Sequence, residues 1–464
     1  MTNGLPAVLI LGGLNTASRQ LAIFLVSGDQ GEVPKAAHEQ RPPLVKYLRI
    51  ADRFSVQPET TYLGRAFKGI LERDDVDYRQ ANLAVPSKVA EIFTPPPGIE
   101  SFDYVFDLTG ETRPDRPEVI YVQQCYALPL ALARHASTLS SPPRAYVRLV
   151  PPAYVMSNSV TGGYTERFVE AKKEKKGGMF RSKDKGSEGL GPKPDGVRGR
   201  WWHEGVRAQA AVPGLNFVAI RAGEIYGEAF GEGQVLARLV IAHVYKHKQE
   251  KMEFLHSGDL RLHTVHVRDA VRAMFEVAHW VASQGRAAAD QIAGEEMPCA
   301  WAWSTGKDGD EEKQGMKLVP DLLDPSAQIV APYFNVVDDG DTTQDKLAKA
   351  CSDVFSIKYG FHSSVVSSLV TSFNRTDFGA LVDDINEDHM EVWQDMMSKS
   401  SPPIFDTPIS PLLLPDSFKK RAINLNGQKL RTITGWSPAV KEVNPEALRL
   451  QCQSFQLAQL WPNL

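Results

Sequence analysis

The first third of the chain alternates short β-branched or apolar runs with longer stretches of helical spacing, and that rhythm leaves few folds open. Runs at Ala7 to Leu11, Leu44 to Ile50, Val76 to Gln80, Tyr104 to Leu108, Ala145 to Val150 and Phe217 to Arg221 have the length and continuity of strands buried on both faces. Between them, Arg19 to Val26, Val89 to Phe93 and Glu118 to Ala136 have helical spacing, with a kink expected at Pro129. Strands joined through helices pair in parallel, so six such units imply an α/β protein with a doubly wound parallel sheet. At roughly 150 residues per domain, 464 residues call for more than one structural unit. A hydrophobic share of 42% and a charged share of 23% exclude global disorder and a membrane protein.

Past the sixth strand the rhythm loosens. Helical stretches flank Leu262 to Val267, Ser304 to Gly315 is a polar loop, and Pro332 to Val337 reads as a strand followed by a helix over Thr342 to Phe355. The expected organisation is a first unit over 1–280, interrupted by a flexible insertion over 164–200, and a smaller, mainly helical substrate- or lid-type lobe over 281–464. From that lobe, 332–355 returns to the first unit's core. Within 170–200, Lys172, Lys173, Lys175, Lys176, Lys183 and Lys185 stand among glycines with almost no apolar residues, the composition of a disordered basic loop. That insertion and the C-terminal lobe are the places where a protein partner would dock. A net charge of −4 gives no global field for nucleic acid or an anionic membrane. Four scattered cysteines, Cys125, Cys299, Cys351 and Cys452, suit a reducing compartment, and with no leader pattern after Met1 the expectation is a cytoplasmic protein.

The first strand runs into Gly12-Gly13-Leu14-Asn15-Thr16-Ala17-Ser18. A turn of this kind lets backbone amides and a helix N-terminus face the pyrophosphate of a dinucleotide. Of a G-x-x-G-x-x-G spacing only Gly12 survives; Asn15, which tolerates a left-handed backbone, and the small Ser18 stand where the second and third glycines would be. Asp52, after the second strand, is placed to accept hydrogen bonds from an adenosine ribose, which favours NAD. The adjacent Arg53 suits a 2′-phosphate and keeps NADP open, and both residues also suit a strand end in water.

Several segments, in order, resemble the extended short-chain dehydrogenase/reductases of the NAD-dependent epimerase/dehydratase type. VDYRQANL at Val76 to Leu83 is similar to that family's third strand and adenine-contacting turn, with Asn82 where Asp is usual. FDYVFDLTGET at Phe102 to Thr112 is similar to its fourth strand and cofactor-facing loop, which contributes Thr109 and Gly110. LNFVAIRAGEIYG at Leu215 to Gly227, TVHVRDAV at Thr264 to Val271, Phe334-Asn335-Val336 and KLRTITGWSP at Lys429 to Pro438 resemble later family segments. The resemblance implies a Rossmann fold and a dinucleotide held by Gly12, Gly13, Asn15, Ser18, Asp52, Asn82, Thr109 and Gly110.

The family's chemistry needs a Tyr to move the proton, a Lys four residues on to lower its pKa and hold the ribose, and a Ser or Thr to orient the substrate. No tyrosine of this chain has Lys at the fourth following position. Aligned on Leu215, the Tyr position holds Trp201 and the Lys position Gly205, while Pro152 takes the Ser or Thr position after the fifth strand. The residues left near the vacated centre are His203 and, from the fifth-strand side, Tyr154 or Tyr164. The pair Trp201-Trp202 is expected to pack beneath the insertion. No metal site is expected: His263 and His266 fall on opposite faces of a strand, and Asp384-x-Asn386-x-Asp388 lacks the glycine and distal Glu of a calcium loop and reads as the wet face of a helix. Three readings stand: a nucleotide-responsive or structural binding module with a degenerate active site, an NAD(P)-dependent oxidoreductase or epimerase with unconventional acid/base residues, and an assembly protein with an empty cleft.

Overall fold

The computed structural model describes residues 4–27, 42–159, 163–164, 192–303, 316, 319–363 and 375–464. Eight strands form one sheet: β1 (Ala7–Leu11), β2 (Tyr47–Asp52), β3 (Val76–Gln80), β4 (Tyr104–Asp107), β5 (Ala145–Val150), β6 (Phe217–Ala222), β7 (Gly294–Glu296) and β8 (Val330–Val336). Their order across the sheet is β7-β8-β6-β5-β4-β1-β2-β3, parallel throughout except for the β7–β8 edge pair. The order reverses between β1 and β4, which face each other with Leu9 opposite Val105. In open α/β sheets the crevice at such a switch point is the ligand site.

The pleat divides each strand between two apolar layers. On β1, Ala7, Leu9 and Leu11 join one core with α3 (Pro86–Phe93), α5 (Leu128–Ser137) and α6 (Gly196–Ala210). Val8 and Ile10 join the other, with α1 (Ser18–Ser27), α2 (Arg65–Leu71), α8 (Val267–Gln284) and α9 (Arg286–Ala293). This two-sided burial is why these strands read as continuous apolar runs. A third core links α7 (Gly233–Lys248) and Met252–Phe254, which precede residue 281, to α10 (Gln344–Phe355), α11 (Arg375–Lys399) and α12 (Pro445–Leu457). Trp393, Trp461 and Phe455 fill it.

The helix expected over Glu118 to Ala136 is present. It runs as α4 (Glu118–Tyr121), a π-helical turn Val122–Ala127, and then α5, with Pro129 in the first turn of α5 where its missing N–H costs least. The insertion expected to extend to residue 200 ends earlier: Lys193–Pro194 pair with Tyr154–Val155, and α6 begins at Gly196. The lysines of 170–191 and the polar loop at 304–315 lie outside the described residues. Asp384, Asn386 and Asp388 sit inside α11. No helix among the described residues is long and apolar enough to cross a membrane.

Candidate functional site

At the end of β1, Gly12 and Gly13 adopt φ values of +69° and +71°, the left-handed region that favours glycine. Both also need to be small: a Cβ on Gly12 would lie 2.8 Å from Thr109 Cγ2, and one on Gly13 2.6 Å from Leu108 Cβ. The turn is thus pressed against the end of β4. Asp52, only 4% exposed, has its carboxylate turned onto this turn. Its Oδ2 accepts the Leu14 amide at 2.9 Å and its Oδ1 the Phe54 amide at 3.3 Å, while burial pushes its carboxyl up. Arg53 is exposed and stacks 5.1 Å from the Phe54 ring. Asn82 is exposed, its Oδ1 accepting the Ala84 amide. Ser18, at the first position of α1, is fully buried, and its hydroxyl has no hydrogen-bond partner among the described residues.

Asn15 meets a residue that sequence reading missed. Its Nδ2 donates to Glu232 Oε1 at 2.8 Å, and Glu232 Oε2 accepts the Thr112 hydroxyl at 3.0 Å. One carboxylate therefore ties the loop after β1 to the loop after β4, across the switch point. Glu232 stands at the N-cap position of α7 without a side-chain capping bond, and burial pushes its carboxyl up. The preceding residues are fastened down as well: Arg19 donates to the carbonyls of Leu14 and Ala229 at 2.8 and 2.9 Å, and Gln20 to that of Glu228 at 3.0 Å. No local pattern in the sequence marks Glu232, because its partners lie 217 and 120 residues away.

Toward β5, the crevice floor is a buried ion pair. Arg148 Nη1 lies 2.7 Å from Asp107 Oδ1, and both side chains are essentially inaccessible. The Thr109 amide and hydroxyl, the Tyr146 hydroxyl and Gln209 Nε2 complete the donors around Asp107. Trp202 covers the pair, its ring 4.6 Å from the Arg148 guanidinium, and its Nε1 donates to the Glu111 carbonyl at 3.0 Å. Gly110 lies directly under that ring: a Cβ there would overlap Cη2 and Cζ2 of Trp202. Trp201 turns the other way, donating to Glu118 at 2.7 Å and packing edge-on to Trp301. The two tryptophans wedge α6 between the β4 loop and the Ala300–Trp303 turn, and the insertion under which they are expected to pack lies mostly outside the described residues. An Arg within the apolar strand AYVRLV was the legible signal for this cluster, since a charge in a strand buried on both faces requires a partner.

Tyr154 and His203 are brought together. The hydroxyl lies 3.3 Å from Nδ1, and His203 Nε2 lies 2.7 Å from the Pro298 carbonyl, to which it donates, leaving Nδ1 to accept from Tyr154. Burial pushes His203 down to about 3 and holds Tyr154 well above its ordinary value. The Arg221 guanidinium stacks on the Tyr154 and Tyr333 rings at 4.4 and 4.5 Å. Gly205 faces the π turn, where a Cβ would stand inside contact distance of the Cys125 carbonyl oxygen and 3.0 Å from its carbon.

No family model and no curated protein sequence matches the chain. Solved structures do. UDP-glucose 4-epimerase of Thermotoga maritima, described with UDP-glucose, aligns over 97% of this chain and 99% of its own, with a TM-score of 0.52 at 13% identity. UDP-glucuronic acid 4-epimerase of Bacillus cereus, described with NAD, aligns over 97% and 99% with a TM-score of 0.53 at 9% identity. Pal from Bacillus thuringiensis gives the same coverage and a TM-score of 0.53 at 12% identity. The chain has the extended short-chain dehydrogenase/reductase fold. Within it, the architecture is that of the NAD-dependent epimerase structures, and the likeness is one of fold.

Proposed function

We propose that this protein is a non-catalytic module built on the epimerase/dehydratase fold, acting by binding or assembly and not by turnover. The observation that carries the reading is the Asp107–Arg148 pair under Trp202: the carboxyl ends of β4 and β5, where this fold performs its chemistry, hold a buried, hydrogen-bonded cluster of the chain's own side chains. The position aligned with the ribose-holding Lys is Gly205, and α6 packs too tightly on the π turn there for any side chain.

The Tyr154–His203 contact is the one observation that favours an unconventional acid/base pair. Its burial argues against that use. A Tyr held well above its ordinary value and a His pushed down to about 3 both stay neutral at pH 7, and with 2% and 5% exposure neither meets a substrate. The assembly reading, in which the cleft holds no nucleotide, is compatible with the chain's own side chains, Glu232 and Trp202, standing in the crevice. The residues present do not fit an NAD or NADP as they stand: Asp52 is turned into the glycine turn and a carboxylate spans the crevice.

The test is incubation of the purified chain with NAD+ or NADP+ and UDP-glucose or UDP-glucuronic acid, following reduced nicotinamide by absorbance and sugar products by chromatography. No turnover above the uncatalysed rate is expected. Turnover that is lost in His203→Ala and Tyr154→Phe would overturn the proposal in favour of the oxidoreductase or epimerase reading.

A further inference from the structure

We infer that Glu232 is an internal occupant of the crevice's anion site, a latch that stands where a nucleoside diphosphate's pyrophosphate would lie and must leave before one can enter. The inference rests on the non-catalytic reading only in assuming that the fold's crevice is retained as a binding feature.

Three observations converge. The first is position. The loops after β1 and β4 border the switch point, where a Rossmann sheet places a pyrophosphate, and Glu232 is hydrogen-bonded to one residue from each: Asn15 in the turn and Thr112 beyond β4. The second is chemistry. The latch group is itself an anion, and the side-chain amide and hydroxyl that hold it are neutral donors that serve a phosphate oxygen equally well. The third is anchoring. Glu232 is the last residue of a segment pinned to α1 through Arg19 to the Ala229 carbonyl and Gln20 to the Glu228 carbonyl, and Arg268 pairs with Glu228 behind it. Arg113 and Arg19 act on Glu232 as nearby positive charges, and a pyrophosphate drawn to the same cations and the same two donors would have to take the carboxylate's place, since the two anions repel each other. A dinucleotide therefore competes with Glu232 and does not add to it. Trp202 lies over Gly110 and Arg148 at the β4–β5 side of the crevice, so the adenosine diphosphate half, on the β1–β2 side, is the part the opened crevice would take.

The experiment is calorimetric titration of the full chain with ADP, and with NAD+ in parallel, for the natural protein and for Glu232→Ala. Thr112→Val serves as a milder variant that cuts one end of the latch. Amide hydrogen exchange of residues 12–17 and 228–233 is read without ligand. The expected result is no saturation by ADP below millimolar in the natural protein and at least tenfold tighter binding in Glu232→Ala. A smaller tightening is expected in Thr112→Val, with faster exchange in both segments for both variants. Equal behaviour of the natural protein and Glu232→Ala toward ADP, whether both bind or neither does, overturns the latch. That outcome leaves the non-catalytic reading intact, because no arm of the experiment measures turnover.

Discussion

Gly205→Ala separates helix propensity from packing, because the two have opposite signs at this position. In the interior of a helix this substitution normally stabilises by about 1 kcal/mol, through lower backbone entropy in the unfolded chain. Here the added methyl would meet the Cys125 carbonyl oxygen inside contact distance, the Cys125 carbonyl carbon at 3.0 Å and the Tyr126 Cα at 3.4 Å. All three are backbone atoms of the π turn, so no rotamer change relieves the clash. α6 would have to withdraw by on the order of 1 Å. It is held on other sides by Trp202 over Gly110, by Arg207 donating to the Met297 carbonyl, and by Trp201 against Trp301. Overpacking of a rigid core costs roughly 1–3 kcal/mol or more, so the net expectation is a destabilisation of about 2 kcal/mol. Urea unfolding followed by tryptophan fluorescence and far-ultraviolet circular dichroism measures it, with the midpoint falling and the slope unchanged. A midpoint that rises, as for an exposed helical glycine, would refute both the tight α6–π contact and the argument that no Lys can be restored at 205.

Asp107→Leu or Arg148→Met alone should destabilise by about 3–5 kcal/mol, since each leaves a buried charge unpaired, while the double variant should recover most of that loss; additive losses in a double-mutant cycle would refute the pairing. Burial pushes Asp338 up to about 7, where it accepts from Thr264 at 2.6 Å and from the Gly340 amide at 3.0 Å. Its folded-state value is raised, so between about pH 4 and 7 the native protein keeps a proton that the unfolded chain has lost. Stability should fall as pH rises through this window, by up to about 4 kcal/mol from this residue. Asp338→Asn should therefore raise the thermal midpoint at pH 8 and change it little at pH 4; an equal shift at both pH values would contradict the assignment.

The parallel strands of the sheet were legible in the chain alone; its antiparallel edge strand Gly294–Glu296 was not. AVLIL, AYVRLV and FVAIRA are continuous runs because a parallel strand covered by helices on both faces buries every residue, and that requirement is local enough to read. The sequence by itself also determined that Tyr-x-x-x-Lys is gone and that Tyr154 and His203 remain near the vacated centre. Only tertiary structure decided what fills the space. Asn15 was legible as a residue suited to a tight turn, but its partner Glu232 lies 217 positions on, and nothing in either neighbourhood announces the other. Asp52 was legible as a strand-end carboxylate, yet which amide it accepts depends on how closely Gly12 and Gly13 press on Leu108 and Thr109. Trp202 over Arg148, and the π turn against Gly205, follow from how far apart two helices and a loop settle. Periodicity records which face of an element is buried; it carries no information about what the buried face meets, because that is set by contacts between elements distant in the chain.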